Sequence, residues 1–415
     1  MIGMDQLNKN ANNERCGKLA FIVVARQIGA LSETWLWRQL KGFTRLKPYV
    51  LTWKYLNQET FKLDDIATCI LPFDPWPEHK RGLGRWIYRL RNLPRVNFYG
   101  SVGAERHAIE KWLVDVQPKV MLCHFGPTAL KLLPIAKHLD IPLVAHFHGV
   151  DLSSSLRNRW YRWSLLAGMK DFDAMVVVGS HQYHWMIQRG VPPERVHIIP
   201  CGAPTQLFKP KEPRKSEQIQ FIAVSSLVEK KGVKYTIRAF AKVSHVFYNT
   251  KLLILGDGPL RQDLEALTHN LGLTGKVSFA GASSPDQVQR CLQQSDVFVQ
   301  HSIIPSSGAM EGSPVAIAEA SSSALPVIVT HGCGGTEKLV VHGETGFLVP
   351  QRDIETMARY MLKLARDPAL RKRLGSAGRK HIMAEFNSEN QISKLEDVLL
   401  KCSDKSNGSL ANLMS

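Results

Sequence analysis

No stretch of the chain approaches the roughly 18 uninterrupted apolar residues that a membrane-crossing helix needs. The seven cysteines, at positions 16, 69, 123, 201, 291, 333 and 402, are odd in number and form no C-x-x-C pair. That scatter argues against a structural zinc site and for a reducing compartment. The opening MIGMDQLNKNANNERCGK is polar and lacks the apolar core of a secretion signal, so a cytoplasmic protein is expected. No phosphate loop of the G-x-x-x-x-G-K-[ST] type appears, nor a G-x-S-x-G nucleophile elbow, which removes two common enzyme classes. Acidic residues are also scarce: 36 Asp and Glu stand against 53 Lys and Arg, a net charge of +17. Such a surplus implies an anionic partner, whether nucleic acid, an anionic membrane or an acidic ligand. No helix-turn-helix, zinc-finger or RNA-binding aromatic signature accompanies it, so nucleic acid is set aside.

What is present is a chain of 415 residues, too long for one core, with two domains of roughly 200 residues expected. Continuous apolar strands alternate with helical segments: LAFIVVA at 19–25, then 120–125, 142–147, 174–179 and 196–199. A helix is expected over 33–46, with Ser32 as its cap. The Pro- and Lys-rich stretch 201–218 interrupts the pattern, which restarts with strands at 219–225, 251–255, 277–280, 297–300 and 327–329. Uninterrupted apolar strands between helices mean parallel sheets covered on both faces, an α/β class with two doubly wound domains. The expected layout is a first domain over 1–205, a linker over 206–218 and a second domain over 219–386. A helix over 387–401 and a polar tail over 402–415 follow. Two such domains are expected to face a cleft. In open α/β sheets ligands bind beyond the carboxyl ends of the strands.

The stretch from His301 to Pro350 is the most informative. Glu311 and Glu319 stand either side of Gly312-Ser313-Pro314, with Ser313 placed as a helix N-cap and Pro314 as the first helical residue. A helix N-terminus suits a phosphate, and the two carboxylates suit sugar hydroxyls, so together they fit a sugar nucleotide. Read singly, each glutamate reads rather as a solvated acid, and only the rest of the chain turns the reading. Beyond other strand ends lie Gly29, whose backbone can approach a phosphate or sugar, and His148, placed to bond a sugar hydroxyl. His146, inside its strand, reads as packed. Lys231, beside the Gly232 that opens a helix, suits a diphosphate, with Lys230 on the surface. Asp171-Phe172-Asp173 has the spacing of a metal-binding D-x-D but precedes a strand, the wrong end for a site, and reads as structural. Two basic stretches rich in Trp and Tyr, 79–94 and 157–166, suit an anionic membrane surface or are domain helices with basic outer faces.

Taken together these residues resemble the family-4 retaining glycosyltransferases of the GT-B fold. The likeness runs from about Leu19 to Phe386. It is carried by the E-x7-E element of Glu311 and Glu319, by LPVIVT and CGGTEKLVVHGETGFLV after it, and by VSSLVEKKG, LGDGPLR, VSFAGA and SDVFVQHS. ARQIGALSETW, HFGPTAL and HFHGVD are similar to the colanic-acid and exopolysaccharide branch. The resemblance implies transfer of a sugar from a nucleotide-sugar donor to a saccharide acceptor, expected to be lipid-linked, at the inner face of the cytoplasmic membrane. It implies that Glu319 binds the ribose, and that Glu311 binds the donor sugar as a catalytic residue together with His148. It further implies that backbone N–H groups at Gly312 and Ser313 hold sugar or phosphate, that Lys231 holds the diphosphate, and that no metal or other cofactor takes part. The family commonly has Gly-Arg-Leu where this chain has Ser225-Ser226-Leu227. The arginine that would share the diphosphate with Lys231 is therefore absent, and Ser226 keeps one hydrogen-bond donor. That departure supports the alternative, a non-catalytic GT-B-like protein that binds glycan or membrane.

Overall fold

The structure, a computed structural model, describes residues 17–73, 97–210 and 217–411. The basic stretch at 79–94 lies outside these residues. The chain divides into two compact units. The first takes Met1–Val177, Gln182–Ile199 and Ile392–Ser415; the second takes Val178–His181 and Pro200–Gln391.

The first unit holds a seven-stranded sheet: β1 (Leu19–Ile28), β2 (Leu46–Tyr55), β3 (Thr68–Ile70), β4 (Met121–His124), β5 (Leu143–Phe147), β6 (Ala174–Val177) and β7 (Val196–Ile198). Its order is β3-β2-β1-β4-β5-β6-β7, parallel throughout. Residues alternate between two cores, with Ile22, Val24, Met121 and Cys123 in one, and Phe21, Val23, Ala25 and Leu122 in the other. Burial on both faces is why these strands read as unbroken apolar runs. β2 escapes that reading because Lys47, Pro48 and Lys54 interrupt LKPYVLTWKY. Accordingly the first helix is Thr34–Gly42 rather than 33–46, and no side chain caps its N-terminus.

The second unit holds a six-stranded sheet: β8 (Ile219–Val224), β9 (Thr250–Leu255), β10 (Val277–Gly281), β11 (Val297–Gln300), β12 (Val327–Thr330) and β13 (Gly346–Val349). Its order, β10-β9-β8-β11-β12-β13, is again parallel, with the reversal of strand order between β8 and β11. The corresponding reversal in the first unit lies between β1 and β4. These are the topological switch points at which doubly wound sheets bind ligands.

The last helix, Ser388–Ala411, runs past the end at Lys401 that its apolar stripe marks. From Ile392 it belongs to the first unit, where Ile392, Leu395, Val398, Leu399 and Cys402 join Leu36, Leu40 and Phe43 in one core. Its Glu396, buried, is held by the turn before β2. One carboxylate oxygen accepts the backbone N–H groups of Thr44 (2.9 Å), Arg45 (2.7 Å) and Leu46 (3.1 Å), and the other accepts Arg45 Nε (3.2 Å). Removing a buried charged acceptor strands three donors at once, so Glu396→Ala should cost roughly 3 kcal/mol in denaturant unfolding. Asp397→Ala, which deletes an exposed ion pair to Arg45, should cost less than about 1 kcal/mol.

Candidate functional site

The site in the second unit is built from the loops that leave β8, β11 and β12. After β8 the chain makes a short 3-10 turn, Glu229–Lys231, and reverses at Gly232, whose φ of +54° is left-handed. A Cβ there would collide with the carbonyl oxygen of His301, so only glycine lets the turn sit against the residue that follows β11. Ile303 N–H completes that union by donating to the Lys230 carbonyl at 2.8 Å. The loop after β12 is joined in the same way. Glu311 N–H donates to the Cys333 carbonyl at 2.8 Å, and the Gly334–Gly335 backbone lies so close to the Glu311 and Gly312 carbonyls that no side chain fits.

Those backbone unions bring Glu311, Lys230 and Lys231 together. Glu311 is only 5% exposed. Its carboxylate lies 2.9 Å from Lys231 Nζ and 3.9 Å from Lys230 Nζ, and accepts from Ser302 Oγ at 3.4 Å. Ser302 is itself fixed by Gln300 Nε2 at 2.8 Å, while its carbonyl accepts from Thr330 Oγ1 at 2.6 Å. Burial would push the Glu311 carboxyl up. The two lysines outweigh it and hold the group below its ordinary value. Lys230 is shifted down, first by burial and also by Lys231, against the pull of Glu311. Two ammonium groups around one carboxylate leave a surplus positive charge in a largely desolvated place.

This arrangement corrects the assignment of Lys230 to the surface. The 3-10 turn aims both neighbouring lysines at Glu311, which a helix beginning there would not do. Lys230 is thereby a second cation beside Glu311. Ser226 itself is half-buried, and its carbonyl accepts the Val228 N–H at 2.9 Å. Glu319 is buried in the helix Val315–Ser322, 5% exposed rather than solvated. Ser313 does not cap that helix. The residue before it is Pro314, no side chain caps the first turn, and Ser313 Oγ accepts the Cys201 N–H at 3.2 Å instead. Gly312 is buried in the loop between.

In the first unit, Gly29 follows β1 with φ +80°, and a Cβ there would strike the Leu56 carbonyl. His148 follows β5 and is almost fully buried; its N–H donates to Asp151 Oδ2 at 2.7 Å and its carbonyl accepts from Gln182 at 2.8 Å. Its Nε2 lies 3.3 Å from Nδ1 of His124, so one of its two ring nitrogens is engaged inside the protein. Burial drives His124 and His148 well below the ordinary imidazole value and His146 to about 3. Burial also raises the Asp151 carboxyl to about 7, against the N–H groups of His148 and Gly126. The D-x-D acids have structural partners. Asp171 pairs with Lys137 at 2.7 Å, and Asp173 accepts the Leu143 N–H at 2.8 Å. Two features escaped sequence reading: Lys230, hidden beside a more obvious lysine, and His124, whose register partner His146 is visible only once β4 and β5 pair.

Two parallel-sheet α/β units of this kind, with a cationic site at the switch point of the second, define a GT-B protein. The chain belongs to the glycosyltransferases: residues 66–207 match the family model described as Glycosyltransferase Family 4, and residues 205–381 the one described as Glycosyl transferases group 1. It is 27% identical to the amylovoran biosynthesis glycosyltransferase AmsK of Erwinia amylovora, over 68% of this chain and 69% of that one. It is 28% identical, over 68% and 70%, to a Salmonella typhimurium protein provisionally named the colanic acid biosynthesis glycosyltransferase WcaL. Among solved structures, Anabaena HepE in complex with UDP and glucose superposes with a TM-score of 0.74 at 16% identity, covering 92% of this chain and all of that one. No helix among the described residues is long and apolar enough to cross a membrane.

The Glu311 shift fixes a pH dependence. A carboxyl whose folded pKa lies below its unfolded value contributes stability that is complete above about 4.5 and is lost as the pH falls through the folded value. Urea unfolding between about pH 3 and 7 should therefore show a shallower acid limb in Glu311→Gln than in the wild type.

Proposed function

We propose that this glycosyltransferase moves a sugar from a nucleoside-diphosphate donor to a saccharide acceptor in surface-polysaccharide synthesis, and that the second unit holds the donor. The carrying observation is the surplus positive charge of Lys230 and Lys231 around buried Glu311 at the β8–β11 switch point. Breaking the bond between sugar and diphosphate leaves negative charge on the departing phosphate oxygen. Preorganised ammonium groups stabilise that charge as it grows, with no reorganisation at the moment of reaction. In this reading the donor diphosphate shares the lysines with Glu311, close to the start of the Val315–Ser322 helix and the backbone of Gly312 and Ser313. Glu311 accepts hydrogen bonds from donor-sugar hydroxyls, and Glu319 from the ribose. The lysines supply the counter-charge, so no metal is assigned to the transfer step. Front-face attack, with the leaving phosphate oxygen taking the acceptor's proton, accounts for a retaining outcome without a protein nucleophile.

A panel of UDP-, GDP-, ADP- and dTDP-sugars, with acceptor glycolipid, tests this by release of nucleoside diphosphate. Lys231→Ala and Glu311→Ala should each lower kcat/KM by about 100-fold or more. Unchanged turnover in both variants refutes the assigned site. Stabilisation by no donor of the panel returns weight to a non-catalytic binding protein.

For the acceptor we infer a lipid-linked saccharide met at an anionic membrane surface on the cytoplasmic side. The helix Arg159–Gly168 supports this, capped by Asn158 and carrying exposed Arg159, Arg162, Trp163 and Leu166 on its outer side. Trp163 is 46% and Leu166 43% exposed, an apolar pair that water does not favour and a lipid interface does. Co-sedimentation with anionic vesicles should be strong at low salt and weak at high salt, and a Trp163→Ser, Arg162→Ser double variant should bind severalfold less. Absence of binding by the wild type at low salt removes the membrane reading.

A further inference from the structure

We propose that Asp151 is a positioning residue for the transfer reaction, its carboxylate fixing the direction in which His148 presents its ring. The proposal rests on the reading of His148 as a residue that meets the reacting sugar. Asp151 is 1% exposed, and its Oδ2 accepts the His148 N–H at 2.7 Å. Its own N–H donates back to the His148 carbonyl at 3.1 Å, which closes the turn after β5. The same carboxylate takes the N–H of Gly126, the first residue of the helix Gly126–His138. Phe125, in the cap position of that helix, offers no side-chain acceptor. Asp151 caps it from another loop, at the end where the helix dipole favours an anion. One carboxylate therefore ties the loop after β5 to the loop after β4, all within the first unit.

The second observation is strain at the tied loop. Phe125 has φ +69° and ψ 138°, a region nearly closed to residues with a Cβ. Such strain persists only where neighbours over-determine it, and it clusters at functional sites. Here the Phe125 N–H donates to the His146 carbonyl at 2.8 Å, and the next N–H, that of Gly126, goes to Asp151. The held conformation lays the Phe125 ring 4.6 Å from the His148 ring, which has the Trp35 ring 4.4 Å away. The backbone of His148 and one wall of its ring are thus both anchored on Asp151. A helix cap alone needs no buried acid, since Ser, Thr or Asn at the cap position serves. Burial also works against ionisation and raises the Asp151 carboxyl to about 7. What the acid adds over an ordinary cap is its grip on the His148 N–H.

The test measures steady-state kinetics at about pH 8, where the carboxylate is charged, with a donor that the wild type turns over. The variants are Asp151→Asn, whose amide nitrogen accepts no hydrogen bond, His148→Ala and the two combined. Asp151→Asn should lower kcat by about tenfold or more, with the donor KM changed by less than about twofold. It should add nothing to the loss caused by His148→Ala, whereas a merely structural acid would cost the same factor in both backgrounds. In protein labelled with 15N-histidine, the His148 backbone amide is the one missing from the His148→Ala spectrum. Its proton should lie far downfield in the wild type and move upfield in Asp151→Asn. Asp151→Ser serves for both measurements if the asparagine variant does not fold. Wild-type kcat in Asp151→Asn, an unmoved His148 amide, or equal losses in both backgrounds overturns the proposal and leaves the donor reading intact. Full activity in His148→Ala instead overturns the reading of His148, and the proposal with it.

Discussion

Glu311 is a carboxylate taken out of water, and the second unit is arranged around keeping it charged. An unpaired buried carboxylate costs several kcal/mol or takes up a proton. Here Lys231 in hydrogen-bond contact and Lys230 just beyond it reverse that tendency. The lysines reach Glu311 because the turn that carries them is pinned to the residues after β11, through Gly232 against His301 and Lys230 against Ile303. Glu311 is in turn fixed to the loop after β12 through Cys333. Charge placement therefore depends on backbone unions between loops of three neighbouring strands. The resulting imbalance, two cations to one anion, equips the place for a further anion.

The first unit is organised by a different constraint. Its last helix comes from the far end of the chain, and Glu396 fastens it to the turn before β2 by three backbone N–H groups. A chain that leaves a domain and returns to it needs such a clasp, because the apolar stripe of Ile392, Leu395 and Leu399 fixes a face but not a position along it. The same unit buries three histidines at the ends of β4 and β5. The ends of β4 and β5 thus carry neutral imidazoles where the second unit's switch point carries charge.

Much of this was legible in the chain because buried parallel strands are written as unbroken apolar runs. Ten of the strands announce themselves that way, whereas β2 is masked by Lys47, Pro48 and Lys54, β3 is a partly exposed three-residue edge strand, and β13 is an edge strand that opens on a glycine. The pair Glu311 and Glu319 could be picked out by its spacing across a Gly-Ser-Pro turn. Lys231 followed from its place beside Gly232. What did not follow are contacts set by tertiary placement. The Ser313 hydroxyl fits an N-cap locally, but the Cys201 N–H claims it. Lys230 is an ordinary surface lysine until the 3-10 turn aims it inward. His146 is a packed strand residue until pairing sets it beside His124. Nor does the stripe of the last helix say which unit it joins.

The donor reading stands or falls on whether the lysines grip a diphosphate. Calorimetric titration of a nucleoside diphosphate and of the matching nucleoside, into the wild type and into a Lys230→Ala, Lys231→Ala double variant, isolates that grip from sugar and base contacts. The account predicts that the diphosphate binds the wild type more than about tenfold more tightly than the nucleoside. It also predicts that this gap shrinks with added salt and nearly closes in the double variant. Equal affinities in the wild type, or a gap that survives loss of both lysines, would contradict it.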